Sequence, residues 1–302
     1  MAKKKKIKNQ KKFFSILIVL FSIIYGMYMD EINETFGLDE ISPTFQEVSS
    51  DLVISYLDVG QADSILIQNN GEAMLIDAGN NEDGELLVQY FKENNIQEFK
   101  YVVGTHPHED HIGGLDNIIN NFNIGTIYMP DVITTTKTFT DVLDAIEQKS
   151  YNLDVPKIGE FFTLGEATIE VIYTGTDINE LNNTSIVLKL IFGNISFLFT
   201  GDAEAKVEEE ILNKDIQVDV LKVGHHGSEY STIDNFLNKV NPKYAIISVG
   251  ENNSYGHPHS TIIDKLNAKN IKIHRTDKEG TVIVTSDGKD ISITSKKTNT
   301  NG

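Results

Sequence analysis

The chain of 302 residues contains no cysteine. That excludes disulfides and a lipid attached through cysteine, and it leaves the redox compartment open. Positive charge is scarce. Lys and Arg number 26 against 44 Asp and Glu, for a net charge of −18. Seven of those lysines fall in the first 29 residues, where there is no acid, so the remainder carries −25. Such a body repels polyanions at long range, although salt screens this beyond about 10 Å. This weakens a nucleic-acid substrate without excluding it, since bound metal ions create a local positive focus. No basic stripe interleaved with aromatics is present, so the sequence sign of non-specific strand binding is missing. No internal repeat is evident. Histidine is absent between His111 and His225.

Only one long apolar run exists, Phe13–Met29, and it follows Lys3, Lys4, Lys5, Lys6, Lys8, Lys11 and Lys12. A positive segment before an apolar one marks an export signal or an anchor. The run is at the short end of the roughly 17–25 residues a spanning helix needs. No small-x-small cleavage pattern stands out near Gly26, so residues 1–29 read as an uncleaved signal anchor in preference to a cleaved signal peptide. The lysines would stay in the cytoplasm, placing the rest of the chain outside, at the cell membrane or, if cleaved, secreted. Residues 30–50 read as a polar stalk, 51–295 as one globular domain and 296–302 as a disordered tail.

The most telling stretch is Thr105-His106-Pro107-His108-Glu109-Asp110-His111. It places three histidines and an aspartate where the apolar strand Tyr101–Thr105 ends and the chain bends through Ile112-Gly113-Gly114 toward a helix. His106 and His108, two apart, share one side of an extended segment. Asp110 and His111 lie past the bend and can turn to a second point. A solvated polar loop is the bland alternative, but this donor set is what a borderline-soft divalent ion takes. Further ligand-type residues also sit at strand exits. Asp77 closes Ala73–Asp77, Asp202 follows Ile195–Thr200, and His225 with His226 follow Asp219–Val223. Alone, Asp202 reads equally well as a helix cap and the histidine pair as a surface turn. Together they gather at one end of a layered α/β protein, where such sites form.

The His-x-His-x-Asp-His pattern resembles the metallo-β-lactamase superfamily. Leu57–Ser64, Asn182–Leu188, Thr200–Glu204, Leu221–Ser228, Tyr255–Pro258 and His274–Asp277 are similar to the hydrolase domain of the ComEC competence proteins and its stand-alone relatives. The likeness covers roughly residues 50–295. It implies a four-layer α-β-β-α sandwich, a dinuclear centre and, for the competence proteins, a nuclease role on incoming DNA. The wider superfamily supplies one more metal-binding histidine before the Gly-Asp strand. Here Asn182, Asn183 or Ser185 occupies that region, so the His106/His108 site is expected to bind metal weakly, hold extra water or prefer a harder ion such as manganese.

On that reading two divalent ions, zinc or manganese, are held by His106, His108, Asp110, His111, Asp202 and one of His225 and His226. Asp202 would bridge, because a carboxylate has two oxygens. His226 is preferred as the ligand because Gly227 lets the backbone come close, and His225 would then either support a ligand from behind or touch substrate. Asp77 would orient a ligand imidazole or a metal-bound water, with Asn183 near the ligands. Asp110 and His257 are the catalytic candidates, His257 steadying a phosphoryl oxygen or protonating the leaving group. The competing reading of His257 is a turn residue before Pro258. His259 and His274 read as structural or surface residues, and Lys222 as a weak candidate.

The elements fit the sandwich. Early strands are expected at Leu52–Asp58, Ser64–Gln68 and Ala73–Asp77, then a helix at Gly84–Asn94 with Leu86, Leu87, Tyr90 and Phe91 on one side. A strand at Ile124–Met129 and a helix at Thr138–Lys149 follow. Thr168–Tyr173, Ser185–Phe192 and Ile195–Thr200 open a second sheet. Helices Ala203–Asn213, Ile233–Val240 and Thr261–Ala268 alternate with strands Asp219–Val223, Tyr244–Val249 and Lys272–His274. Thr281–Thr285 and Asp290–Thr294 form a closing hairpin. The expected activity is phosphodiester cleavage, on DNA or on a cell-wall polymer such as a teichoic acid or its phosphocholine ester. An anchored binding protein with a vestigial metal site is the non-enzymatic alternative. β-Lactam hydrolysis has no specific support, and fold does not fix chemistry.

Overall fold

In a computed structural model that describes residues 51–297, two sheets carry the fold. In chain order the elements are β1 (Leu52–Tyr56), β2 (Ser64–Asn69), β3 (Glu72–Ala78), α1 (Gly84–Glu93), β4 (Glu98–Val103), α2 (Glu109–Ile112), α3 (Leu115–Asn121), β5 (Asn123–Tyr128), α4 (Lys137–Lys149), β6 (Leu153–Asp154) and β7 (Phe161–Leu164). Then come β8 (Ala167–Tyr173), β9 (Val187–Phe192), β10 (Ile195–Phe199), α5 (Ala205–Glu210), β11 (Val220–Lys222), α6 (Asp234–Val240), β12 (Tyr244–Ile247), α7 (Ser260–Ala268), β13 (Lys272–Arg275), α8 (Thr276–Glu279), β14 (Thr281–Ser286) and β15 (Ile291–Lys296). One sheet has the order β15-β14-β1-β2-β3-β4-β5-β6, the other β13-β12-β11-β10-β9-β8-β7.

Strand parity builds the layers. Successive side chains on a strand point to opposite faces, so a strand covered on both sides reads as continuous apolar sequence. Ile65 and Ile67 of β2, with Met74 and Ile76 of β3, face the second sheet and meet Leu188, Leu190, Phe197 and Phe199. Leu66 and Leu75, one residue out of step, face the helices, where Phe91, Leu115, Ile118 and Val142 cover them. Leu198, Leu221 and Ala245 do the same on the far side, against Val207, Phe236 and Leu266. The result is helices, sheet, sheet, helices.

Several boundaries moved. The buried side of α1 is Leu87, Val88 and Phe91, while Leu86 is 67% exposed. The i, i+1, i+4 set won over the one that includes Leu86. Strands β6 and β7 were not expected, being too short for alternation to register. Ser185 and Ile186 precede β9, and α5 is shorter than Ala203–Asn213. Lys296, expected to begin the tail, pairs with Thr281 as the last residue of β15. The anchor, the stalk and residues 298–302 lie outside the described residues. Among the described residues no helix is long and apolar enough to cross a membrane.

Strands β3, β4 and β5 are mutually parallel, and so are β10, β11 and β12. The carboxyl ends of β3 and β4 in one sheet and of β10 and β11 in the other are where Asp77, the Thr105–His111 loop, Asp202 and the His225–His226 pair emerge.

Candidate metal centre

Buried hydrogen bonds build the floor of this crevice. Asp77 leaves β3 in the left-handed region at φ 59°. Its Oδ1 accepts from the Thr105 N–H at 2.7 Å, and its Oδ2 accepts from Thr105 Oγ1 at 2.7 Å and from His111 Nδ1 at 2.8 Å. One carboxylate thus ties two strand ends to one imidazole. From the second sheet, Gly201 turns the chain at φ +51°, with Ser185 Oγ and Thr105 Oγ1 3.0 Å from where a Cβ would stand. The Asp202 N–H then donates to Ser185 Oγ at 3.0 Å. His225 and His226 are both left-handed, at φ 50° and 53°. Two consecutive non-glycine residues there store strain that a functional site can repay. Gly227 follows at φ +83°, and a Cβ on it would stand 2.6 Å from Pro258. The close approach that glycine permits is therefore to the loop carrying His257.

The side chains converge as a metal site requires. His226 Nδ1 donates to the Ser248 carbonyl at 2.9 Å, as His111 Nδ1 does to Asp77. With both Nδ1 positions occupied by protons, the lone pairs lie on Nε2. His111 Nε2 stands 3.2 Å from Asp202 Oδ1 and 3.9 Å from Asp110 Oδ2. His226 Nε2 stands 3.4 Å from Asp110 Oδ2 and 3.7 Å from Asp202 Oδ1. Four donors on a tetrahedron of roughly 2.1 Å bonds are separated by about 3.4 Å. His111 Nε2, His226 Nε2 and Asp202 Oδ1 are buried atoms with no hydrogen-bond partner. Buried polar atoms are normally satisfied, and a divalent cation among these four would satisfy them. The residues fit the group.

His106 and His108 form a second, looser group. His106 Nε2 lies 3.0 Å from His108 Nδ1 and 4.0 Å from Asp202 Oδ2. Asp202 therefore turns one oxygen to each group.

Comparison with known proteins agrees with this geometry. Residues 57–251 match the family model of the metallo-β-lactamase superfamily. The chain belongs to that superfamily. It is 30% identical to ComE operon protein 3 of Bacillus subtilis over 256 residues, covering 78% of this chain and 33% of that protein. It is 28% identical to Recombination protein 2 of Haemophilus influenzae, covering 90% of this chain and 31% of that protein. The chain thus spans about a third of the length of these relatives. Among solved structures, the metallo-β-lactamase fold protein YhfI of Bacillus subtilis superposes with a TM-score of 0.54 at 12% identity, over 78% of this chain and all of that one. The resemblance to the ComEC-like competence proteins holds.

The electrostatics suit a cation in this metallo-β-lactamase domain. Burial pulls the His111 pKa down, but Asp202, Asp77 and Asp110 outweigh it and hold it well above the ordinary value. Burial likewise pushes Asp202 up, and His111 and His226 outweigh it, keeping it well below the usual carboxylate range. His106 lies well below the ordinary histidine value, from burial and then from His111 beside it, so it presents a neutral ring.

Beside the two groups is a cleft of about 330 Å³, lined by Gln61, Asn182, His225, Tyr255 and His257 among others. His257 Nδ1 is 3.5 Å from Gln61 Nε2, and Gln61 Oε1 accepts from the Gly250 N–H at 3.1 Å. Burial, then His225 and His226, bring the His257 pKa down to about 4. The superfamily match ends at residue 251, before His257. Asn183 bonds to Glu204. Its Oδ1 accepts from the Glu204 N–H at 3.1 Å, and its amide reaches Glu204 Oε2 at 3.4 Å. Ser185 Oγ is 3.4 Å from His106 Nδ1, so that hydroxyl supports both His106 and Asp202. His259 and His274 bond elsewhere, to Thr261 and Glu279.

Asp63 and Glu204 escaped the sequence reading, and Lys222 entered it only as a weak candidate. Asp63 pairs with Lys222 at 2.7 Å, both 1% exposed, and Asp63 Oδ1 sits 3.5 Å from His226 Nδ1. Glu204 touches His225, Asn182 and Asn183. Asp63 was legible only as part of Leu57–Ser64, and Lys222 only as a charge inside an apolar strand. Glu204 was legible only as the end of Thr200–Glu204, since an acid at the start of a helix is ordinary.

Proposed function

We propose that this chain is a dinuclear metal-dependent phosphodiesterase, with DNA as the leading substrate and the domain held outside the cell by residues 1–29. The observation that carries it is the Asp202 carboxylate, whose two oxygens face two separate sets of buried nitrogens. Two divalent cations there would supply an acidified water and neutralise charge growing on a phosphoryl group.

The protein's own groups do the rest. Asp77 and the Ser248 carbonyl hold two ring protons on Nδ1, so Nε2 of His111 and His226 faces the centre. His106, His108, Asp110 and Asp202 complete the donor set. In hydrolysis, water adds to phosphorus, one P–O ester bond breaks, and the departing alkoxide needs a proton or a hydrogen bond. His257, beside the centre and half-buried, has its pKa held down to about 4 and so is placed to give that oxygen a hydrogen bond from a neutral ring N–H. A phosphodiester brings negative charge to such a centre, whereas a β-lactam offers a neutral carbonyl. Support for DNA comes from relatives named for competence and recombination.

The test is a pair of assays on purified protein with manganese or zinc. Bis-p-nitrophenyl phosphate should turn over much faster than nitrocefin. Faster nitrocefin opening would refute the phosphodiesterase assignment. His257→Ala should lower turnover more than metal content, and an equal loss of both would make His257 a ligand.

A further inference from the structure

We infer that His225 is the nitrogen ligand that completes the second ion site, beside His106, His108 and Asp202 Oδ2, and that Glu204 and Asn182 hold its ring there. This deepens the dinuclear reading and rests on it.

The chain has no histidine between His111 and His225 that could join His106 and His108. His225 Nε2 lies 3.7 Å from Asp202 Oδ2, close to the 4.0 Å that separates His106 Nε2 from the same oxygen. The 3.7 Å spacing falls within, and the 4.0 Å spacing just above, the 3.2–3.9 Å shown by the donors of the first site. His226, its immediate neighbour, faces the other oxygen, Oδ1. Adjacent side chains are sent to opposite ends of one carboxylate by the left-handed backbone at both positions. A surface turn would gain nothing from that strain.

His225 Nδ1 is buried without a hydrogen-bond partner, and the polar group beside it is Glu204 Oε1 at 3.4 Å, while Nε2 faces Asp202. The same Oε1 accepts from the Asn182 amide at 2.9 Å. Asn183 holds Glu204 by its backbone N–H and its second carboxylate oxygen. The Asn182–Asn183 segment thus acts through Glu204 as a positioning device for His225.

Calorimetric titration of the metal-stripped full chain with zinc, and separately with manganese, tests this. Wild type should show two events of unequal affinity. His225→Ala should lose the weaker event and keep the tighter one within about threefold, whereas His226→Ala should lose the tighter. Glu204→Gln should weaken only the weaker event, by roughly 10–100-fold, as expected when a group that orients a ligand is altered. It also serves if His225→Ala fails to fold. Two unchanged events in His225→Ala, or in Glu204→Gln where the other does not fold, would overturn the inference and leave the dinuclear centre intact. Fewer than two events in wild type would overturn both.

Discussion

Single residues here do their work by where a proton sits. Asp77 is fully buried and accepts three hydrogen bonds, from the Thr105 backbone, the Thr105 hydroxyl and His111 Nδ1. An asparagine keeps the shape but offers an amide N–H2 where one oxygen stood, so at least one donor is left facing another donor. Asp77→Asn should weaken the tighter metal event by about 10–100-fold and lower stability by about 1–3 kcal/mol. Titration and a thermal melt of the stripped protein check the two halves. Unchanged metal affinity would mean that Asp77 only braces the two strands. The placement of Asp77 and Asp202 at strand ends could be anticipated because each ends an apolar run beside a glycine. The division of labour between His225 and His226 could not. It depends on two positive φ angles, which no residue pattern announces for histidine.

Elements were legible where both faces of a strand are buried. Runs such as Ala73–Asp77 and Ile195–Thr200 are continuous in sequence because they are covered twice in space. Short edge strands β6 and β7 left no such trace. Buried charge was hidden as well. Glu208, on α5, is 1% exposed, and its two oxygens accept from the backbone N–H groups of Thr232 and Ile233 at 2.6 and 2.8 Å, at the start of α6. Burial against those bonds pushes its pKa up to about 7 from 4.5. A raised folded-state value means that the native protein holds the proton more tightly than the unfolded chain does. The contribution is therefore full below about pH 4.5 and is lost as pH rises through 7. The gap corresponds to about 3 kcal/mol. Glu208→Gln should remove that slope, so the melting temperature of the variant, relative to wild type, should rise between pH 4.5 and 7. A constant difference across that window would show that Glu208 does not titrate there.

At the scale of the molecule, neither sheet owns the centre. The Thr105–His111 loop and Asp77 come from one, Asp202 and the histidine pair from the other, and the buried Lys222–Asp63 pair joins the sheets directly beneath. A centre of this kind exists only when the sandwich is closed, which couples metal binding to folding. The four layers followed from the resemblance to the superfamily, which the element order fitted, and most ligand-type residues could be located because several strand exits each carried one. The tie between the sheets could not, since Asp63 and Lys222 are 159 positions apart with nothing local to pair them. The most direct measurement is the metal content of the purified chain by elemental analysis, before and after reconstitution with zinc and with manganese. Between one and two divalent ions per chain are expected as purified, and two after reconstitution. A value near zero after both treatments would contradict the metal centre and the hydrolase built on it.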